Sequence, residues 1–228
     1  MKNTRFIVFV ILFLFLGSFI HAQINTNLKR YIRIGELQSY FSSYGAERAW
    51  NNVYYEGLSW PSQYLYQDNA VIERFWIACK DFTDNNSVNY PYYGIYFSKG
   101  YVNISLFPME WNQISRCPSP DVYVNGIKRQ TGEEEQVDEY DPNLPADRVV
   151  INVVNTSMGL TITRKIHAFS HTNHDDYFIK EYTFQNTGNT DYDVEIERTE
   201  MLKDIRIGKL PRYSTCREGA ANSDNQQV

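Results

Sequence analysis

Three histidines and two aspartates crowd one short stretch, with His167, His171 and His174 standing beside Asp175 and Asp176. Imidazole and carboxylate together are the donors of zinc and related transition-metal sites. If the strand pattern of residues 160–169 continues, positions 167 and 171 share a face, and a turn can bring position 174 or an aspartate to them. The same residue types also make an ordinary polar hairpin tip, because His and Asp serve turn backbone. Asp81, Asp84, Asn85 and Asn86 form a second set, of hard oxygen donors suited to a weak Ca²⁺ site. Their spacing departs from the helix-loop-helix calcium loop, so an Asx-rich turn competes with it. No cofactor is expected on this reading, and calcium is the one that the oxygen donors would admit.

Aromatic rings are the other chemical resource. The chain holds 18 tyrosines and four tryptophans, and an exposed indole offers a face on which the C–H side of a sugar ring can stack. Trp60, before Pro61 in a loop, and Trp111 are the candidates for such a ligand-binding role, whereas Trp76 lies in a strongly apolar run and reads as core. Core or interface packing explains the same enrichment. For catalysis the carboxylates form no recognisable acid/base pair, and there is no Ser-His-Asp order with supporting glycines and no phosphate loop. The reading is therefore non-enzymatic.

These residues need a frame, and the frame is β. Residues 71–79 alternate so that Val71, Phe75, Ile77 and Cys79 share one face and Ile72, Trp76 and Ala78 the other, which predicts a central strand apolar on nearly both sides. Residues 92–97 and 101–107 read as antiparallel neighbours around Ser98-Lys99-Gly100. Asn125-Gly126 behind residues 122–124 is a two-residue hairpin signal. Residues 130–148, with Glu133-Glu134-Glu135, Asp138, Glu139 and Asp141, break the periodicity and read as an exposed, mobile acidic loop. Strands are expected again at 149–154, 160–169, 177–184 and 192–198. Residues 35–50 fit a short helix or two strands around a turn, and residues 209–228 read as a disordered tail.

The expected architecture is an all-β antiparallel β-sandwich, immunoglobulin-like or a larger supersandwich. Its region spans residues 23–208, with subregions 31–129 and 148–208 joined by acidic loop 130–147. A signal-peptide helix precedes it: Lys2 and Arg5, an apolar run from residue 6 to 19, and His21-Ala22 have the three parts of a cleaved secretory signal, residues 1–22. The mature chain is then secreted, with no membrane span after signal cleavage. Its charge of −5 over the full chain argues against nucleic acid as a partner. In an oxidising compartment three cysteines allow one bridge, for which Cys79–Cys117 is the better pair, Cys216 lying in the polar tail; three unpaired thiols are the equal alternative, since there is no dense disulfide framework.

Trp60-Pro61-Ser62-Gln63-Tyr64-Leu65-Tyr66-Gln67-Asp68-Asn69, Lys80-Asp81-Phe82-Thr83-Asp84, residues 157–164 and residues 177–188 together carry a resemblance. The chain resembles the N-terminal region of long secreted bacterial proteins that end in a type IX-secretion-like sorting domain. The similarity covers roughly residues 31–204 and implies no catalytic residues. The chain departs from that pattern by stopping at Val228 with no sorting domain, which implies a fragment or a truncated gene product and leaves surface attachment open. The functional expectation is a secreted non-catalytic module that binds or scaffolds, with a glycan or other domains as partners. The alternatives are an accessory β-sandwich of a carbohydrate-active enzyme and a calcium-dependent adhesion module.

Overall fold

The computed structural model describes residues 28–45, 58–61, 70–97, 105–118, 121–129 and 136–213. Residues 1–22 of the expected signal and residues 214–228 of the expected tail lie outside them. The described residues are all β, with no helix. The strands are β1 (Lys29–Ile34), β2 (Leu37–Ser42), β3 (Ala70–Thr83), β4 (Asn89–Phe97), β5 (Leu106–Ser115), β6 (Val122–Val124), β7 (Ile127–Arg129), β8 (Glu139–Tyr140), β9 (Arg148–Thr156), β10 (Leu160–Ala168), β11 (Ile179–Asn186) and β12 (Lys203–Tyr213).

A five-stranded sheet runs β11-β10-β9-β5-β8 and a three-stranded sheet β12-β3-β4, with β1-β2 and β6-β7 as hairpins. All pairings are antiparallel except the short β5–β8 one. One face of the five-stranded sheet is covered twice. Val154, Leu160 and Ile162 meet Ile77, Cys79, Phe82 and Ile95 of the three-stranded sheet. Farther along, Trp111, Val150, Ile166 and Ala168 meet Ile32 and Phe41 of the β1-β2 hairpin. Burial of these alternating apolar positions is the main stabilising term, at about 25 cal/mol for each Å² removed from water.

Several expectations need correction. Residues 35–50 hold no helix among those described: Gly35 (φ 62°) and Glu36 turn β1 into β2, whose six residues are all buried. Residues 92–97 and the strand at 106 are not neighbours, because β4 pairs with β3 while β5 pairs with β9 and β8. Alternation reports a buried face and not the partner strand; Ile95 and Leu106 reach one core from facing sheets. The two subregions are not separate units, since β5 lies among β8–β11 and β12 lies beside β3.

Residues 192–198 form no strand. Asn189, Asp191 and Asp193 each accept the amide two residues on, at 3.1, 2.8 and 2.8 Å, and this local bonding replaces a ladder. The ladder instead reaches past Gly208: residues 209–213, read as tail, pair with β3 from Phe75 back to Ala70. Pro211 is tolerated there because β12 is an edge strand whose outer N–H groups need no partner.

The acidic segment is also anchored where it is described, from residue 136 onward. Asp138 donates its amide to the Gln113 carbonyl at 2.8 Å, and its carboxylate accepts the Gln113 amide at 2.7 Å and the Arg30 guanidinium at 2.8 Å. Asp147 holds the Ser170 amide and hydroxyl at 2.7 and 3.0 Å and pairs with Arg116. These carboxylates clamp neighbouring strands rather than repel into solvent. Residues 130–135 lie outside the described set.

Candidate functional site: the open face of the three-stranded sheet

Strand β3 turns Ile77 and Cys79 into the core, so Trp76, Ala78 and Lys80 face outward. Register with the flanking strands builds a lattice three residues wide. Gly208, Trp76 and Tyr96 make one row, Arg206, Ala78 and Gly94 the next, and Lys203, Lys80 and Tyr92 the third. Rows two residues apart are separated by roughly 7 Å and strands by about 4.8 Å. Asp81, at φ 50°, then breaks the alternation and Phe82 turns inward, so the open face ends there.

The rings on this face are in the open. Trp76 is 42 % exposed, Tyr96 43 % and Tyr92 75 %. The Trp76 and Tyr96 rings lie 4.9 Å apart between centroids, tilted by 31°, the contact expected of a cross-strand aromatic pair. Between this pair and Tyr92 the middle row carries only Ala78 on β3 and Gly94 on β4, which leaves a low shelf beside Arg206 on β12. At its rim Lys80 pairs with Asp204 at 3.1 Å. Arg206 and Lys203 have no carboxylate partner among the described residues.

The residues singled out from sequence fare differently. Trp60 is 48 % exposed, as expected of a loop tryptophan, and its indole N–H donates to Asp176 at 2.7 Å, which fastens the 58–61 segment to the turn after β10. Trp111 is 4 % exposed and packs with Ile32, Phe41 and Val150, so it cannot offer a face to a ligand. Trp76, read as core, is the exposed ring. A run apolar on both faces marked β3 correctly as the central strand of its sheet, but only one of those faces is covered.

Strand β10 stops at Ala168, so His171 falls in the turn and does not share a strand face with His167. His167 Nε2 lies 3.5 Å from the Glu181 carboxylate on β11. His171 accepts the Asn173 amide at 3.2 Å, and His174 contacts the Tyr177 hydroxyl. Among the described residues no group of three potential ligands within 4.8 Å contains any of these histidines. Asp84 accepts the Asn86 and Val88 amides, both at 2.9 Å, and the Tyr90 hydroxyl at 3.3 Å, which is the turn-capping role. Asp81 is exposed and joins no cluster.

The carboxylates that do converge are Asp191, Asp193 and Glu197. Their oxygens already serve the loop: Glu197 accepts the Thr190 amide at 2.6 Å and its hydroxyl at 3.2 Å, beside the Asx bonds described above. Cys79 and Cys117 are free thiols rather than a bridge. Cys79 points into the core, where burial pushes its thiol up against a smaller opposing effect of Arg198, and Cys117 is exposed beyond the end of β5. Cys216 lies outside the described residues.

Sequence reasoning missed Tyr92, Tyr96, Arg206 and Lys80 as a group. Tyr92-Tyr93-Gly94-Ile95-Tyr96 does carry a signal, since Tyr, Gly and Tyr occupy one face and Tyr and Ile the other. A glycine flanked by rings on one face is what a shelf requires. No family model matches the chain, and neither a curated protein nor a solved structure matches it.

Proposed function

We propose that the chain is a secreted, non-catalytic binding module built as a two-sheet β-sandwich, belonging to a larger extracellular or cell-surface protein. The observation that carries this reading is the open aromatic face: Trp76, Tyr96 and Tyr92 stand in solvent on the outside of a sheet whose inner side sends Ile77, Cys79, Phe82 and Ile95 into the core. Exposed large rings grouped on one regular surface are costly to leave uncovered and are what binding surfaces collect. The packing of the five-stranded sheet against the three-stranded one supports the sandwich type. The signal-like residues 1–22 and the resemblance to N-terminal regions of long secreted bacterial proteins support the compartment.

An accessory role beside a carbohydrate-active enzyme is the second reading, favoured by the same rings. Both make the chain a binder without chemistry of its own. The test is export followed by assay. N-terminal sequencing of the exported chain should begin at or near Gln23, and incubation with polysaccharides should release no new reducing ends. An intact Met1 overturns the compartment, and measurable turnover overturns the non-catalytic role.

A further inference from the structure

We infer that the open face of β12-β3-β4 binds an anionic glycan, a pyranose chain bearing carboxylate or sulfate groups, with a sugar ring stacked on Trp76 and Tyr96 and its acidic substituent at Arg206. The inference rests on the binding-module reading above and names the ligand class of that face.

Three features of the lattice converge on this ligand. The first is shape. The Trp76–Tyr96 pair stands at one end and Tyr92 at the other, roughly 14 Å along β4 by strand rise. The floor between them is Ala78 and Gly94, and a Cβ at Gly94 would already press on the Ile77 carbonyl at 3.3 Å. Gly208 beside Trp76 likewise adds no side chain. Such a shelf admits rings lying flat but offers little aliphatic area. A stable protein partner needs about 800 Å² with an apolar centre, and apart from its rings the three rows from Trp76 to Lys80 contribute a single alanine.

The second feature is charge. The chain carries −5 overall, yet the face gathers Lys80, Lys203 and Arg206 against Asp204, with Asp81 beyond its end. Asp204 is taken up by Lys80 at 3.1 Å. Arg206 and Lys203 are exposed and have no carboxylate partner among the described residues. A cationic patch on an acidic protein selects anions locally while the rest of the surface repels them.

The third feature is position. Arg206 occupies the middle row, in register with Ala78, so it borders the shelf between the rows that hold the rings. A planar guanidinium can bind a carboxylate or sulfate through two parallel N–H groups. A ring on Trp76 and Tyr96 would place a neighbouring substituent within its reach. Neutral glycans would use the rings but leave this cation unanswered.

Affinity electrophoresis of the exported chain in native gels tests the inference, with polygalacturonate as the carboxylate polymer, carrageenan as the sulfated one and hydroxyethylcellulose as the neutral one. Retardation is expected from at least one anionic polymer and not from the neutral one; which anionic polymer retards identifies the acidic group. Trp76→Ala should weaken retardation at least tenfold, Trp76→Phe should retain most of it, and Arg206→Gln should weaken it severalfold and flatten its salt dependence. Unchanged thermal unfolding of Arg206→Gln, an exposed position, separates loss of binding from loss of fold. Equal retardation by the neutral polymer overturns the anionic assignment, and so does the absence of retardation by all three. Retardation that survives Trp76→Ala but vanishes with salt marks simple ion exchange and also overturns it. None of these results touches the non-catalytic reading, which falls only to the release of reducing ends.

Discussion

Removing the indole of Trp76 takes away a ring that touches Tyr96 on one side and solvent on the other. Trp76→Ala is therefore expected to cost about 1 kcal/mol of stability, the scale of one aromatic pair. Trp111→Ala empties a site walled by Phe41, Val150 and Ile166 and should cost about 3–5 kcal/mol. Urea unfolding of the two variants measures the difference, and equal losses would mean that Trp76 is covered. Asp147 gives a second prediction. Burial alone would raise its carboxyl pKa, but the Ser170 amide and hydroxyl and the Arg116 guanidinium outweigh burial and hold it below the ordinary value of 3.8. A carboxyl lowered in the folded state contributes stability above 3.8 that is lost as pH falls through the folded value. Asp147→Asn should thus unfold more easily than the parent at neutral pH, and the gap should close under acid. A gap independent of pH would show that the charge plays no part. At this scale the sequence was partly legible: Trp60 in a loop and Cys79 in a strand could be read from their neighbours. The exposure of Trp76 could not, because the apolar run around it states hydrophobicity and not which face a second sheet covers.

Turns decide much of the element scale. Asn125 and Gly126, at φ 52° and 75°, close the β6–β7 hairpin as the dipeptide foretells. Gly188, at φ 78°, does something the sequence conceals: its carbonyl accepts the Arg198 amide at 2.9 Å, closing the base of the 189–198 loop, and its amide binds the Gly159 carbonyl at 2.9 Å. A Cβ there would collide with the Arg198 carbonyl, whereas a Cβ at Gly126 would meet nothing within 4 Å. Gly126→Ala should cost about 1 kcal/mol, from the unfavourable φ alone. Gly188→Ala carries strain and collision together and should cost clearly more, about 3 kcal/mol. Thermal unfolding of the pair checks the order, and a milder Gly188→Ala would contradict the close approach. Strands β9, β10 and β11 were legible because their alternation is regular and their links are rich in turn residues. The loop that replaces a strand at 192–198 was hidden because Tyr192-Asp193-Val194-Glu195-Ile196-Glu197 alternates like a strand. Only its alternating Asn and Asp side chains, which satisfy the amides locally, set it apart.

At the scale of the whole molecule, a three-stranded sheet with one covered and one open side carries a local charge that runs against the chain's average. Two clusters of apolar contacts form the core, one between the two sheets and one under the β1-β2 hairpin. The outward side of β12-β3-β4 is where large rings, small residues and cations with no carboxylate partner among the described residues coincide. Composition made the β class legible through its tyrosine content and alternation. The pairing of β12 with β3 was not legible, since it joins residues more than a hundred positions apart and local pattern carries no information about such contacts. The binding face exists only through that pairing, because β12 supplies Arg206 and Gly208. The most direct test is an NMR titration of the ¹⁵N-labelled exported chain with trigalacturonate, with cellotriose as the neutral comparison. The account predicts saturable shifts from trigalacturonate confined to Trp76, including its indole N–H, and to Ala78, Gly94, Tyr96 and Arg206, with far smaller shifts from cellotriose. Shifts centred instead on Trp60 and the turn at Asp176, or no shifts with either sugar, would contradict it.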